Sequence, residues 1–224
     1  VFARVQEELF RRVGAVPGVI AGPTLVSAVP GAAPLAAVEL ETNSALPTDG
    51  KPIQRNWWNF VTGTMQVDAA FFETFEARPL SGRGFTGDEF SGPSRSIVVS
   101  QRFVENTLQG ASALGLRLRY VRPRGSAEDV SIEEPWYEIV GVVPDIPAHP
   151  YSGTVYHPLA PGSVRAASVV MRLAPGTPAF GNRLVEMAAT TTPPLRVSEA
   201  RTLGDLYPTQ AFDDYVGGFA LVAG

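Results

Sequence analysis

Two histidines and a group of acidic residues are the side chains in this sequence that could support catalysis or bind a metal. His149 and His157 stand eight residues apart, in or beside a proline-rich stretch. A zinc site would need a third ligand such as Asp145, and the spacing matches no common zinc pattern. Histidines in solvated loops are therefore the better interpretation, and the sequence predicts no metal site and no cofactor.

Carboxylates in predicted loops could form the pair of acids that glycoside hydrolysis uses. They are Asp88, Glu89, Glu133, Glu134 and Asp145. Loops are commonly acidic, however, and no serine lies in the G-x-S-x-G setting of a nucleophile elbow. The absence of cysteine excludes disulfides, thiolate metal ligands and thiol nucleophiles. Residue chemistry alone thus favours a binding or structural module over an enzyme.

Two short motifs could bind ligands by other means. Gly82-Arg83-Gly84 lacks the third glycine and the preceding strand of a dinucleotide fingerprint, so a turn is the simpler interpretation. Trp57 and Trp58 could stack on a ligand. Adjacent residues of a strand point to opposite faces, so we expect one ring in the core and the other at an interface or on the sheet surface. We retain this pair as candidate interface residues.

Composition limits the classes of partner. The 224 residues carry a net charge of −4 and are 18% charged, with no run of Lys and Arg that would follow a phosphate backbone. No nucleic-acid partner is predicted. No apolar run approaches the roughly 20 residues that span a bilayer. The sequence begins at Val1 and ends in an apolar stretch, residues 216–224, so we expect a piece of a longer protein whose end approaches a membrane helix.

Helices and strands do not alternate strictly along the chain. Hydrophobic periodicity predicts helices over 1–14, 71–75, from Ser100 to Gly110, from Pro178 to about 190 with Thr177 as the cap, and over 202–215. Strands are predicted over 19–29, 35–41, 57–67, 96–100, 114–121, 136–145, 154–158, 167–173 and 195–198. This order predicts an α+β fold with mixed or antiparallel sheets in two lobes.

An aromatic cluster is predicted in the middle of the chain. Phe71, Phe72 and Phe75 would share one face of a short helix that Asp68 caps, before Pro79 ends it. Phe85 then returns to apolar surroundings. We expect this stretch to be a packing element and not a catalytic one.

Blocks along nearly the whole chain resemble the MacB-like periplasmic core domain of ABC transporter permeases, in particular the Arg-rich permeases of acidobacteria. The blocks are Val16-Pro17-Gly18-Val19, Phe71 to Phe75, Pro79 to Thr86 with Asp88, Ile97 to Phe103, Leu114 to Leu118, Tyr137 to Asp145, Val155 to Pro158, Ser168 to Arg172 and Arg201 to Asp205. The chain departs from the pattern in having Leu116 where a basic residue is common, and in its long loop at 122–135. We assign structural roles to Phe71, Phe72, Phe75, Gly82, Arg83, Phe85, Gly141 and Pro158.

The resemblance implies a porter-like βαβ lobe, formed by residues 1–66 and 159–205, with a β-rich lobe inserted over 67–158. Residues 206–224 would return toward a membrane helix. The implied function is a non-catalytic periplasmic domain at the bacterial inner membrane, which couples membrane-helix motion to the handling of an exported substrate or partner protein. ATP hydrolysis would reside in a separate nucleotide-binding domain.

The partners implied by the resemblance are the membrane helices of the full-length chain, a second permease in a homodimer, and a periplasmic adaptor protein. The alternative is a free-standing secreted binding domain, or a carbohydrate-active enzyme that uses the loop carboxylates and an exposed tryptophan.

Overall fold

The computed structural model describes residues 2–28, 33–41, 61–121, 134–146, 153–160, 162–163, 166–177, 180–198, 200, 202–203 and 215–223. The helices in these ranges are α1 (Phe2–Gly14), α2 (Phe71–Thr74), α3 (Gln101–Asn106), α4 (Gly181–Ala189) and a 3₁₀ helix (Gly87–Phe90). The strands are β1 (Val19–Val26), β2 (Leu35–Leu40), β3 (Val61–Val67), β4 (Ser81–Gly82), β5 (Ser96–Ser100), β6 (Arg117–Val121), β7 (Tyr137–Val143), β8 (Thr154–Pro158), β9 (Ala166–Leu173), β10 (Leu195–Val197) and β11 (Tyr215–Ala223). The predicted mixture of helices and strands in an α+β fold is confirmed.

All eleven strands belong to one hydrogen-bonded sheet that has two parts. The first part, which we call the helix-backed sheet, has the strand order β10-β11-β9-β1. Every neighbouring pair in it is antiparallel, so β9 and β10 run parallel to each other on either side of β11, and α4 connects them. This is a split βαβ unit. Helices α1 and α4 cover one face of it through a shared buried cluster that includes Leu9, Val13, Met171, Leu184 and Leu195.

The other part, which we call the barrel, is a closed ring of six strands. The pairing runs β3-β2-β6-β7-β5-β8 and returns to β3, because β8 pairs with both β5 and β3. Alternate side chains of these strands share one buried cluster, as the two-residue period of a strand requires. Its strand members are Val38, Ile97, Val99, Leu118, Ile139, Val142 and Val155.

Helix α3 closes one end of the barrel. Ser100 caps α3, as predicted, by accepting from the Phe103 N–H at 3.3 Å, and its hydroxyl also accepts from the Thr154 N–H at 3.0 Å. Phe103 is fully buried in the barrel cluster. Gly153 passes so close to α3 that a Cβ there would lie 2.3 Å from the Phe103 backbone, so only glycine fits.

The two parts meet where β1 reaches β3, and their backbone ladder there contains a single paired position, Val26 with Val67. Side chains of the adjoining buried cluster supply most of the contact, including Phe71, Tyr156 and Val170. We call this contact region the joint. Because β2 and β3 pair within the barrel, two strands from residues 1–66 lie with the strands of residues 67–158.

Three local predictions are wrong. Asp68 is not the N-cap residue of α2, which is Ala70. Its carboxylate accepts from the Ala70 N–H at 3.1 Å, but it also accepts from the Leu25 N–H of β1 at 2.7 Å. Thr177 does not cap α4, which begins after Phe180, since its hydroxyl donates to the Ala174 carbonyl at 2.6 Å. Tyr215, expected to end a helix that begins at Thr202, is instead the first residue of β11 (Tyr215–Ala223), because β9 and β10 offer unpaired backbone groups on both sides.

Candidate functional site

The end of the barrel opposite α3 opens into a groove, which we call the mouth. Here β2 and β7 begin while β3, β6 and β8 end, as the strand registers show. The groove has a volume of about 600 Å³. Its lining residues are Ser27, Pro34, Leu35, Ala36, Ala37, Thr64, Met65, Gln66, Tyr120, Val121, Glu134, Tyr137 and His157.

Three aromatic side chains from neighbouring strands form the inner wall of the mouth. The Tyr120 hydroxyl shares a hydrogen bond with Nε2 of His157. The Tyr137 ring meets the His157 ring edge to face, with centroids 4.8 Å apart, and the Tyr120 ring at 5.8 Å. These contacts hold all three rings in fixed orientations, in the T-shaped geometry that aromatic pairs favour.

Burial keeps two residues of this wall, His157 and Tyr120, uncharged. Desolvation lowers the pKa of His157 to about 4, because the imidazolium would lose its hydration without a compensating acid. Desolvation also raises the pKa of Tyr120, and the charge of Tyr137 adds to that shift. At neutral pH the wall therefore offers the neutral imidazole of His157 and the protonated phenol of Tyr120.

The rim of the mouth combines exposed apolar groups with cations. Leu35 and Val121 are 50% and 44% exposed. The Arg95 guanidinium lies 5.7 Å from the centroid of the Tyr137 ring, and that of Arg119 lies 4.8 Å from the ring of Trp136. The guanidinium groups lie on ring faces at distances typical of cation–π contacts.

The prediction of a solvated loop position for His157 is wrong. The residue lies on β8 and is mostly buried, because it falls on the same alternating face as Val155, which points into the barrel. The two-residue period of β8 was a signal that could have placed it there. His149 lies outside the described residues. No cluster of three or more His, Asp or Glu side chains suited to a metal occurs within the described ranges.

The predicted aromatic cluster lies at the joint. Phe71 is fully buried and touches Phe72 and Phe75, with ring centroids 5.4 and 4.9 Å away. Phe85 packs on Phe72 at 6.0 Å. The structure adds Tyr156, whose ring lies 5.7 Å from that of Phe71 and which the sequence analysis did not include.

Gly82, Arg83 and Gly141 meet where the short strand β4 pairs antiparallel with β7. A Cβ on Gly141 would lie 1.9 Å from the Arg83 carbonyl, and Gly82 has a φ of +69° that favours glycine. The Arg83 guanidinium donates to both Glu89 oxygens at 2.9 Å. The hydrogen bond from Arg83 is the main reason why the pKa of Glu89 falls to about 2, against the opposing effect of burial. These residues pin the chain that follows the aromatic cluster against β7.

The remaining predicted site residues are dispersed. Pro158 ends β8 opposite Val67. Asp145 pairs with Arg102 and accepts its backbone N–H at 2.9 Å. Glu89 is held by Arg83, and Glu134 lies at the mouth. Trp57, Trp58 and Glu133 lie outside the described residues.

Comparisons with known proteins identify relatives of the chain. A family model described as the MacB-like periplasmic core domain matches residues 10–190. The extracellular domain of the noncanonic ABC-type transporter YknZ from Gram-positive bacteria is similar over 95% of this chain and 88% of its own, at 14% identity and a TM-score of 0.49. The periplasmic region of MacB from Actinobacillus actinomycetemcomitans is similar over 95% and 78%, at 10% identity and a TM-score of 0.49. No curated protein sequence matches the chain.

Proposed function

Since the chain belongs to the family of MacB-like periplasmic core domains, we propose that it couples motion of membrane helices to the handling of an exported substrate or partner protein. Family membership makes it an extracytoplasmic domain of an ABC transporter permease, a class of domain that is generally non-catalytic. Among the residues that the structure describes, no helix is long and apolar enough to cross a bilayer. The membrane helices belong to the full-length permease that the family implies.

The observation that carries the proposal is the attachment of α1. Leu9 and Val13 are fully buried between α1 and the helix-backed sheet. The Arg12 guanidinium donates to the Met187 carbonyl at 3.2 Å and to the Thr190 hydroxyl at 2.9 Å, which fastens α1 to the end of α4. Because packed helices shift as units, a displacement of α1 would move the whole sheet.

The joint would carry the same displacement into the barrel. Asp68, just after β3, accepts from the Leu25 N–H at 2.7 Å and from the Thr24 hydroxyl, both on β1. Arg172 of β9 also pairs with Glu76, which follows α2. A path of buried and hydrogen-bonded contacts thus runs from α1 to the barrel.

We also propose that the helix-backed sheet and the barrel correspond to the porter-like and inserted lobes. The split βαβ unit of β9, α4 and β10 supports this assignment. The return of residues 206–224 toward a membrane helix, the permease homodimer and the periplasmic adaptor remain proposals that follow from the family. So does a lobe boundary at residues 66/67 and 158/159, although β2 lies before the first of these positions and β3 crosses it, and both belong to the barrel.

The coupling can be tested with the full-length permease in liposomes. The 224-residue chain contains no cysteine, so Val121→Cys, made in a permease whose cysteines outside this chain have been replaced, provides a single exposed labelling site on the barrel. Energy transfer from this label to an acceptor lipid reports the position of the barrel relative to the bilayer, with and without ATP and Mg²⁺. Three glycines inserted directly before α1 should abolish the ATP-dependent change, because a flexible link does not transmit a displacement.

The matched control inserts three glycines between Gly92 and Pro93, in an exposed loop where Gly92 has no neighbouring atom within 4 Å of a Cβ position. This variant should retain the ATP-dependent change in energy transfer. An equal response in the two insertion variants, or no response to ATP in the unaltered permease, would disprove coupling through α1.

A further inference from the structure

We propose that the mouth of the barrel binds an uncharged small molecule that carries a planar aromatic ring. The inference does not rest on the coupling by α1, since a ligand could occupy the mouth whether or not the barrel moves. It rests on the size of the groove, on its aromatic wall and on the uncharged polar groups around it.

The size and position of the groove suit a small molecule. Ligand pockets of proteins usually measure roughly 300–1,000 Å³ and often lie in the mouths of barrels. The mouth, at about 600 Å³, lies within that range. Its other end is closed by Phe103 of α3 and by the aliphatic barrel cluster, so a ligand would enter and leave on the rim side only.

The aromatic wall favours a planar ring as the bound group. The Tyr137 ring contacts the rings of Tyr120 and His157 edge to face, the Tyr120 and His157 rings are tilted by 39° to each other, and none of the three is fully buried. A ligand ring could stack against this wall in the offset or T-shaped arrangements that aromatic groups prefer. Leu35 and Val121 on the rim would cover the outer side of the ligand and lose exposed apolar surface as it binds.

The polar groups of the mouth favour an uncharged ligand. Ser27, Thr64 and Gln66 provide hydroxyl and amide groups, and His157 remains neutral at physiological pH. Among the lining residues that the structure describes, Glu134 is the one acidic side chain and none is Lys or Arg; Glu134 already has an interaction within the chain. A charged ligand would therefore have to displace an existing contact, such as that of Arg95 with the Tyr137 ring, to gain a partner of opposite charge.

A purely structural role for the three rings would predict different behaviour. Deeper in the barrel the side chains are aliphatic, for example Leu118 and Ile139, and they need no hydrogen-bond partners. Burying a phenol and an imidazole costs more desolvation free energy than burying such aliphatic side chains, even when the polar groups are hydrogen-bonded to each other. If the three rings only complete the core, the unaltered chain should not bind aromatic compounds. Replacing a ring should then change only the stability of the fold.

The test uses the 224-residue chain and N-phenylnaphthylamine, an uncharged fluorescent probe, with anilinonaphthalene sulfonate as its charged analogue. Fluorescence titration should show one site for the uncharged probe and at least about 10-fold weaker binding of the sulfonate, because the sulfonate must be desolvated. Tyr137→Leu should weaken binding of the uncharged probe about 5-fold through loss of the ring contact.

Two exposed leucines provide a matched pair that separates the mouth from general apolar surface. Leu35 on the rim and Leu80, which lies beside Val142 away from the mouth, are 50% and 58% exposed. Leu35→Ala should weaken binding about 3-fold and Leu80→Ala should not change it. Because both side chains are exposed, neither variant should unfold, which circular dichroism can verify.

The proposal fails if the uncharged probe does not bind, or if Leu35→Ala and Leu80→Ala change its affinity equally. Equal affinity for N-phenylnaphthylamine and anilinonaphthalene sulfonate would overturn the inference that the ligand is uncharged. Failure of these titrations would leave the insertion test of α1 unaffected, and a failed insertion test would leave the ligand site standing.

Discussion

The helix-backed sheet and the barrel deal with unpaired strand edges in different ways. Every strand of the six-membered ring has a partner on both sides, and one helix covers its end. The helix-backed sheet is open, ends at the short strand β10 and relies on α1 and α4 to bury one face. Closure makes the barrel self-contained, whereas the open sheet depends on elements packed against it.

The joint between the two parts is held together mainly by side chains. One ladder position joins the two parts, compared with five between β3 and β8. Backbone pairing therefore contributes little to their union, and side chains must supply most of it. If so, substitutions in the joint should separate the two parts, while substitutions inside either part should weaken that part first.

Phe71 should show the largest effect. It is fully buried at the centre of the joint, so Phe71→Ala should lower the free energy of unfolding by about 3–5 kcal/mol. Phe72 is partly buried and packs at the edge of the same cluster, so Phe72→Ala should cost clearly less. Urea unfolding followed by fluorescence and circular dichroism measures both. Equal losses for the two variants would show that Phe71 is not the centre of the joint.

A matched pair of buried leucines tests the independence of the two parts. Leu9 of α1 and Leu118 of β6 are both fully buried, one in each part. Each change to alanine should cost about 2–5 kcal/mol. Hydrogen exchange should accelerate mainly in β1 and β9 for Leu9→Ala, and mainly in β5 and β7 for Leu118→Ala. Acceleration across the whole chain in both variants would instead indicate one cooperative unit.

Acid should weaken the barrel through His157. The folded pKa is lowered to about 4 from an ordinary value of 6.5, so the unfolded chain binds more protons between those values. The stability contributed by neutral His157 is complete above pH 6.5 and is lost as the pH falls through 4, by up to about 3 kcal/mol. Thermal unfolding across this range should show the loss.

The control for the acid prediction is His157→Gln, which keeps a hydrogen-bonding group but does not titrate. Groups facing His157 are Tyr120 and Tyr137, with Glu134 at the rim and Arg95 over Tyr137. Burial raises the pKa of Tyr120, so the variant should lose most of the pH dependence between 6.5 and 4. If the stability of His157→Gln depended on pH as strongly as that of the unaltered chain, other groups would be responsible for the loss in acid.

The sequence could predict the elements but not the closure of the barrel. Periodicity identified β5, β7 and β9 because their apolar runs are short and continuous, and Ser100 revealed the start of α3. Ring closure depends on β8 pairing with β3, which is far away in the chain, and no local pattern encodes that contact. For the same reason the mouth was missed, since its three rings come from three separate strands.

The role of Asp68 was mistaken because local and distant partners competed for one carboxylate. The local partner is the Ala70 N–H at the start of α2, which donates to the Asp68 carboxylate at 3.1 Å. The distant partners are the Leu25 N–H and the Thr24 hydroxyl on β1, which donate to the same carboxylate. Burial raises the pKa of Asp68 even though these hydrogen bonds lower it, which shows that it is desolvated at the joint. Asp68 therefore joins the two parts instead of ordering α2 alone.

Asp68→Ala should cost less than Phe71→Ala, roughly 1–3 kcal/mol, because it leaves the Leu25 N–H without its acceptor but removes little apolar contact. Asp88→Ala, at an exposed position of the 3₁₀ helix, is the control and should change stability very little. Urea unfolding measures both variants. A loss no larger for Asp68→Ala than for Asp88→Ala would mean that side-chain packing alone holds the barrel to the helix-backed sheet.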